Sequence, residues 1–367
     1  MNQRTQAIAI WQAGVDAVGG HAATQAALMD VARPDRIVAV GKAAGAMAQA
    51  ALELFGDVPT LVVTKDGHGA GLPDHAELIE ASHPVPDARS LKGGAALRAA
   101  VAEMPEGSHL LLLVSGGASS LAEDPVAGKT LGDLTALNQR LLAAGLDIGA
   151  MNVERRKLSQ IKGGGLLSHF GGAKVTVLAI SDVPGDDLGV IGSGIGNAPN
   201  ACGFNFEARI VASNAIARAA AVAAAQADGL RVLCNEEALH DDLEALASDI
   251  GQRLRDMPTG VMILGGEPTV VLPDTPGRGG RNQALALALA REIAGIEGLA
   301  VVVGGTDGTD GPTEAAGAIV DGSTWGPGGE AALAAADSGT FLDAREALLI
   351  TGPTGTNVMD LLVAIRR

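Results

Sequence analysis

Five segments of the chain end an apolar run in a cluster of Gly, Ser, Lys, Arg or Asp, the residue types that handle anions, metals and protons. In RIVAVGKAAGAMAQAALEL the run passes through Gly41 and Lys42 into an alanine-rich stretch, which sets an ammonium beside a helix N-terminus. Lys42 there would grip a phosphate; the plain alternative is an exposed lysine in a turn. In LLLLVSGGASSL the residues Ser115, Gly116 and Gly117 can present successive N–H groups to an anion. A serine-hydrolase elbow is excluded, because Ser119 is followed by Ser120 and Leu121 instead of x-Gly. In VTVLAISDVPGDDLGVIGSG, Asp182 lies just past an apolar run and could hold Mg²⁺ or accept a proton, whereas Asp186 and Asp187 read as turn residues. GRGGRNQALALALA sets Arg278 and Arg281, followed by Asn282, among three glycines at the head of a helix, where planar guanidiniums suit carboxylate or phosphate oxygens. In AVVVGGTDGTDGPTEAAGAIVD, Asp307 and Asp310 form an acidic loop fit for Mg²⁺ or a hydroxyl, without the spacing of a calcium loop.

Two look-alikes fail. VAGKT at 126–130 has Glu123 where a phosphate loop needs its first glycine, and GSGIGNA at 192–198 runs into Pro199 and Asn200 where a dinucleotide fingerprint needs a helix. His83, in SHPVPD, reads as a loop hydrogen-bonder before a catalytic base.

The elements that must position these residues alternate. Short β-branched or leucine runs predict strands at 36–40, 60–64, 110–114, 175–180, 209–212, 231–234, 261–264, 269–272, 300–303 and 348–351. Helical stretches are predicted at 43–54, 89–102, 131–144, 215–228, 239–255 and 282–293, with one more amphipathic helix in the first 20 residues. The rhythm is that of α/β units with parallel strands. GSGIGNAPNACGFNF at 192–206 breaks both periodicities and marks a boundary between domains 1–200 and 205–367.

Composition narrows the partners. A net charge of −16 over 367 residues repels nucleic acid and anionic membranes, so an anionic substrate needs a local cationic cluster. Two cysteines, Cys202 and Cys234, give neither a disulfide framework nor a zinc spacing, and a reducing cytoplasm is the expected compartment. No apolar run reaches the ~18–20 residues a membrane span needs.

Taken in order, VGKAAGAMA, SHPVPDARS, VSGGASSL, NVERRKLSQIKGGGL, AISDVPGDDLGVIGSG, GGEPTVVL, GRGGRNQALALA, GGTDGTDGPTEAAGAIVD and GPTGTNVMDLLV closely resemble the class II glycerate kinases, whose C-terminal half is the MOFRL domain. The resemblance implies an N-terminal Rossmann-like doubly wound sheet, a C-terminal mixed α/β domain and a cleft between them. It also implies ATP- and Mg²⁺-dependent phosphorylation of D-glycerate to 2-phosphoglycerate, with a homodimer compatible. The family's lysine falls on Lys42 and the arginine of its glycine–arginine–asparagine motif on Arg281. Lys157 and Lys162 fall where a nucleotide phosphate could be held. Asp182 and Asp307, with Asp310, would then hold Mg²⁺ or take the hydroxyl proton, and Arg278 or the Ser115–Gly117 amides would hold the glycerate carboxylate. One departure stands out: Ser193 and Gly194 lead into IGNAPN instead of the family's proline–threonine stretch. The rival readings are a hydroxypyruvate reductase, a binding module without catalysis, and a kinase of another small hydroxy acid.

Overall fold

The computed structural model describes residues 2–143 and 153–367, so the final residue of the helix expected at 131–144, and Asn152 at the head of NVERRKLSQIKGGGL, lie outside the described residues. The chain forms two compact units: Gly19–Ser213 with Gly355–Asn357, and 2–18 with Asn214–Thr354 and Val358–Arg367.

The first unit is built on β1 (Arg36–Val40), β2 (Thr60–Lys65), β3 (Glu77–Ala81), β4 (His109–Val114), β5 (Lys174–Ile180) and β6 (Asn205–Ala212). These lie in the order β3-β2-β1-β4-β5-β6, and every neighbouring pair is parallel. The sequence explains this: β4 reads HLLLLV and is buried throughout, the continuous apolar run of a strand covered on both faces. Helices α1 (Gln3–Asp16), α2 (Gly20–Ala27), α3 (Ala44–Phe55) and α4 (Ala88–Ala102) follow within one residue of the reading where one was made, and α4 is closed by a capping box of Asp87 and Ser90. Register aligns Val40 with Val114, and Val114 with Ala179, so β1, β4 and β5 end side by side.

The second unit carries β7 (Val232–Glu237), β8 (Gly260–Gly266), β9 (Leu299–Gly305), β10 (Gly317–Asp321), β11 (Leu348–Leu349) and β12 (Asp360–Arg366), in the order β11-β10-β9-β12-β8-β7. Only β7 and β8 pair in parallel; the other neighbours are antiparallel. The parallel arrangement read from the alternation therefore describes the first sheet and one pair of the second. The difference arises because β12 returns between β8 and β9, and β10 follows β9 through a loop without a crossover helix.

Two expectations are corrected here. Residues 269–272 form no strand: Thr269 makes an isolated bridge to Asp242, and Val271 is 88% exposed. The first helix, counted by position with domain 1–200, packs instead in the second unit. Its Trp11 is fully buried among Ala221, Val302 and Val363, and the indole N–H donates to Leu361 O at 3.1 Å. That face of the second sheet is shared by α1 and the helix Asn214–Ala227; the other is covered by Leu243–Arg255 and Arg281–Glu292.

Candidate active site

At the shared edge of β1, β4 and β5 three loops are stitched together. Gly41 has φ +125°, and a Cβ there would lie 2.2 Å from Ser115 Oγ, so only glycine lets the first two loops close. Ser115 donates its N–H to Val40 O at 2.9 Å, its Oγ accepts from Ala43 N at 3.0 Å, and Lys42 N donates to Gly116 O at 2.9 Å. Ser115 is thus a tie between loops, and its amide is spent. The anion nest expected at Ser115–Gly117 reduces to the N–H groups of Gly116 and Gly117.

Over Gly116 lies the Asp182 carboxylate. A Cβ added at Gly116 would sit 2.1 Å from Asp182 Oδ2 and 2.3 Å from Asn357 Nδ2, and that amide donates to Asp182 Oδ2 at 3.3 Å. At Gly117, φ +82°, a Cβ would meet Lys42 Cγ at 3.1 Å and His83 Nε2 at 3.2 Å. Lys42, His83 and Asp182 therefore surround one glycine pair, at the point where the strand order reverses between β1 and β4.

A cavity of about 260 Å³ opens beside them, its wall including His83, Gly117, Ser119, Asp182, Arg155 and Lys162. Lys162 donates to Glu123, both side chains about 95% buried, and Glu123 Oε1 also accepts from Ser159 Oγ at 2.5 Å and Asp124 N at 3.1 Å. An ion pair so enclosed survives only with its remaining hydrogen bonds made, as they are here. Lys162 lines the cavity with its charge already matched. Lys157 does not line it: its side chain is 61% exposed and pairs with Glu154 at 2.5 Å, three residues away. Arg155, passed over in the sequence, does. Burial pulls its guanidinium below the usual value while Glu123 pulls it back up. The doublet Arg155–Arg156 inside the quoted motif was the available signal.

The second unit gathers a different cluster at the start of the helix Arg281–Glu292. Its N-cap, Gly280, has no side chain to offer. Asp310, from the β9–β10 loop, supplies the cap: its two oxygens accept from Asn282 N at 3.1 Å and Gln283 N at 2.8 Å. Burial pushes the Asp310 carboxyl up to about 7 against the pull of those two amides. Arg281 donates through Nε to Asp360 Oδ2 at 2.7 Å and through Nη1 to Glu267 Oε1 at 2.5 Å. Burial opposes its charge, but the two carboxylates outweigh that and hold it protonated. Asn282 is buried and bridges Asp310 to Asp360 at 3.4 and 3.0 Å. Arg278 is half exposed and pairs with Asp343 at 2.8 Å. Asp307 Oδ1 accepts from Thr309 N and Oγ1, each at 3.0 Å.

Among the described residues no three His, Cys, Asp or Glu side chains form a metal-holding group. That donor set fits Mg²⁺ only in the form the ion takes with nucleotides, held by phosphates, water and one or two carboxylates.

Residues 6–226 match the family model described as a domain of unknown function, DUF4147, and residues 260–360 match that of the MOFRL family. The chain is 38% identical to the D-glycerate 2-kinase of Thermotoga maritima over 90% of each sequence. It is 37% identical to an Agrobacterium vitis protein bearing the name hydroxypyruvate reductase, over 89% of this chain and 97% of that one. A crystal structure of glycerate kinase from Thermotoga maritima superposes with a TM-score of 0.89 at 35% identity, covering 99% of both chains. The chain belongs to the MOFRL family of glycerate kinases.

Within this MOFRL glycerate kinase, Lys42, Gly116, Gly117, Lys162 and Asp182 fall in the first unit around one cavity or its adjoining glycine pair. Arg278, Arg281, Asn282, Asp307 and Asp310 fall in the second. Asn282 and Asp310 build the helix start there, with both Asp310 oxygens accepting from its first amides. No helix among the described residues is long and apolar enough to cross a membrane.

Proposed function

We propose that this protein is a glycerate 2-kinase, moving the terminal phosphoryl group of ATP onto the 2-hydroxyl of D-glycerate to give 2-phosphoglycerate. The observation that carries the reading is the 38% identity to a D-glycerate 2-kinase over 90% of both chains. A Rossmann-like first unit is supported by the strand order β3-β2-β1-β4-β5-β6, in which ligands bind outside the strand ends where the order reverses.

Phosphoryl transfer is positioning and charge stabilisation above all. In this reading Asp182 accepts the proton of the acceptor hydroxyl. The Asn357 amide, donating to one of its oxygens, orients the carboxylate. Lys42 offsets charge on the transferred group, and the Gly116 and Gly117 amides with Arg155 take the acceptor's carboxylate. Lys162, matched by Glu123, shapes the wall. From the second unit we assign Arg281 to phosphate oxygens and Asp307 to Mg²⁺, which when bound would offset charge on the nucleotide phosphates.

The reductase reading has a specific obstacle. The β1–α3 turn runs Gly41, Lys42, Ala43, and a dinucleotide site needs its second glycine at the place of Ala43 so that the pyrophosphate can approach. The test is to incubate purified protein with ATP, Mg²⁺ and D-glycerate and identify the product by NMR. 2-Phosphoglycerate is the expected product; 3-phosphoglycerate would overturn the hydroxyl assignment. NAD(P)H oxidation with hydroxypyruvate, and no phosphorylated product, would hand the case to the reductase.

A further inference from the structure

The turn after Asp182 holds a feature that the reaction as described does not use. Gly192, Ser193 and Gly194 have φ of 55°, 59° and 77°, three successive residues in the left-handed region. Glycine enters that region freely, and Asn or Asp at modest cost; serine has no such allowance. Packing explains the two glycines. A Cβ at Gly192 would lie 2.9 Å from Ala118 Cβ, and one at Gly194 would lie 2.8 Å from Gly189 O. At the middle position backbone conformation alone favours a third glycine, yet a serine is buried there.

What the serine adds is a hydroxyl 2.8 Å from Ser119 Oγ. Ser119 lines the cavity on the short helix Ala118–Leu121, next to the Gly117 amide. Ser193 O also accepts the N–H of Gly163 at 2.9 Å, the residue after Lys162 in the same cavity wall. A serine hydroxyl can donate one hydrogen bond and accept two, so a Ser119 fixed by Ser193 keeps capacity for a ligand. A cavity of about 260 Å³ suits a small hydroxy acid. Strain at a buried outlier that touches a site is a reason to look for a role in that site.

We propose that Ser193 is a positioning residue: it fixes Ser119, whose hydroxyl hydrogen-bonds the acceptor substrate. This rests on reading the cavity as the acceptor site of the kinase. Ser193→Gly removes the hydroxyl and relieves the strained backbone, so the variant folds at least as well as the native chain, and its Tm should equal or exceed the native value. Its KM for D-glycerate should rise about fivefold to tenfold, the loss of one hydrogen bond, with KM for ATP within about twofold of native. Ser193→Ala and Ser119→Ala should raise the same KM, and the double variant should be no worse than Ser119→Ala alone, because both act through one hydroxyl. A Ser193→Gly enzyme with native KM and kcat would overturn the proposal, as would effects that multiply in the double variant. A native protein that forms no product from D-glycerate would remove the functional reading, and this proposal with it, before any variant is compared.

Discussion

Asp182 gains its position from residues far away in sequence: Gly116 leaves it room, and Asn357 donates to one oxygen. A carboxylate held this way acts through its charge and basicity. Asp182→Asn, nearly the same shape, is expected to lower kcat by about 10²–10⁴-fold, as for loss of a general base, with Tm close to native. Steady-state kinetics beside thermal unfolding separates the two. Asp310 makes a different prediction, on stability. Its carboxyl is raised by burial from 3.8 to about 7, so between those values the folded state holds more protons than the unfolded one, and stability falls as pH rises. Burial also raises the neighbouring Asp360, which adds in the same direction. Denaturation midpoints followed from pH 4 to pH 8 should decline. Asp310→Asn, which cannot titrate, should show a flatter decline. Lys157 and Lys162 show what residue types alone cannot convey. They share one motif, yet the acids they meet, Glu154 on the surface and Glu123 in the interior, send one outward and the other into the cavity wall.

Loops at strand ends carry the site, so changes there should strike activity before stability. Gly116 does not sit at positive φ, and alanine can adopt its backbone; the new methyl would instead displace the Asp182 carboxylate. Gly116→Ala is expected to fold with a Tm near native and lose about 10²-fold or more in kcat, as catalytic groups moved by about 1 Å do. Circular dichroism and turnover of the same preparation check this. Elements of the first sheet were legible because β1, β2, β4 and β5 are largely apolar, β-branched or leucine-rich runs followed by Gly, Asp or Ser. The edge strand β3 was missed: ELIEA exposes its two leading residues and carries two acids, Glu77 and Glu80, among five residues. At 269–272 the apolar letters of TVVL suggested a strand, but Val271 and Leu272 face solvent. The helix read from 239 starts at Leu243 because the Asp242 side chain accepts from Glu244 N and caps it there. Of the residues proposed for the site, Lys42 after Gly41 and Asp182 at the end of an apolar run stand out in the sequence, whereas the parts given to Arg155 and Ser193 do not. Their roles come from the walls they meet, and periodicity does not encode walls.

At the scale of the whole chain, helix α1 completes the second unit from the opposite end of the sequence. Trp11→Ala should cost about 3–5 kcal/mol through the cavity it leaves. In calorimetry the second unit's transition should move down while the first unit's stays, a pattern that two coincident shifts would contradict. The two units also differ in when they can be finished. Nearly all of the first is complete by Ser213, whereas the second sheet has β12 at its middle, between β8 and β9. At about 5–20 residues per second, synthesis from Ser213 to β12 takes roughly 7–30 s. Through that interval a nascent chain can hold a folded first sheet while α1 waits, its Trp11 face uncovered, for the strands it will pack on. Asp182 waits as well, since Asn357 emerges only just ahead of β12. If Asp182 accepts the proton as proposed, that chemistry waits for Asn357, and chaperone engagement should centre on α1 until β12 emerges.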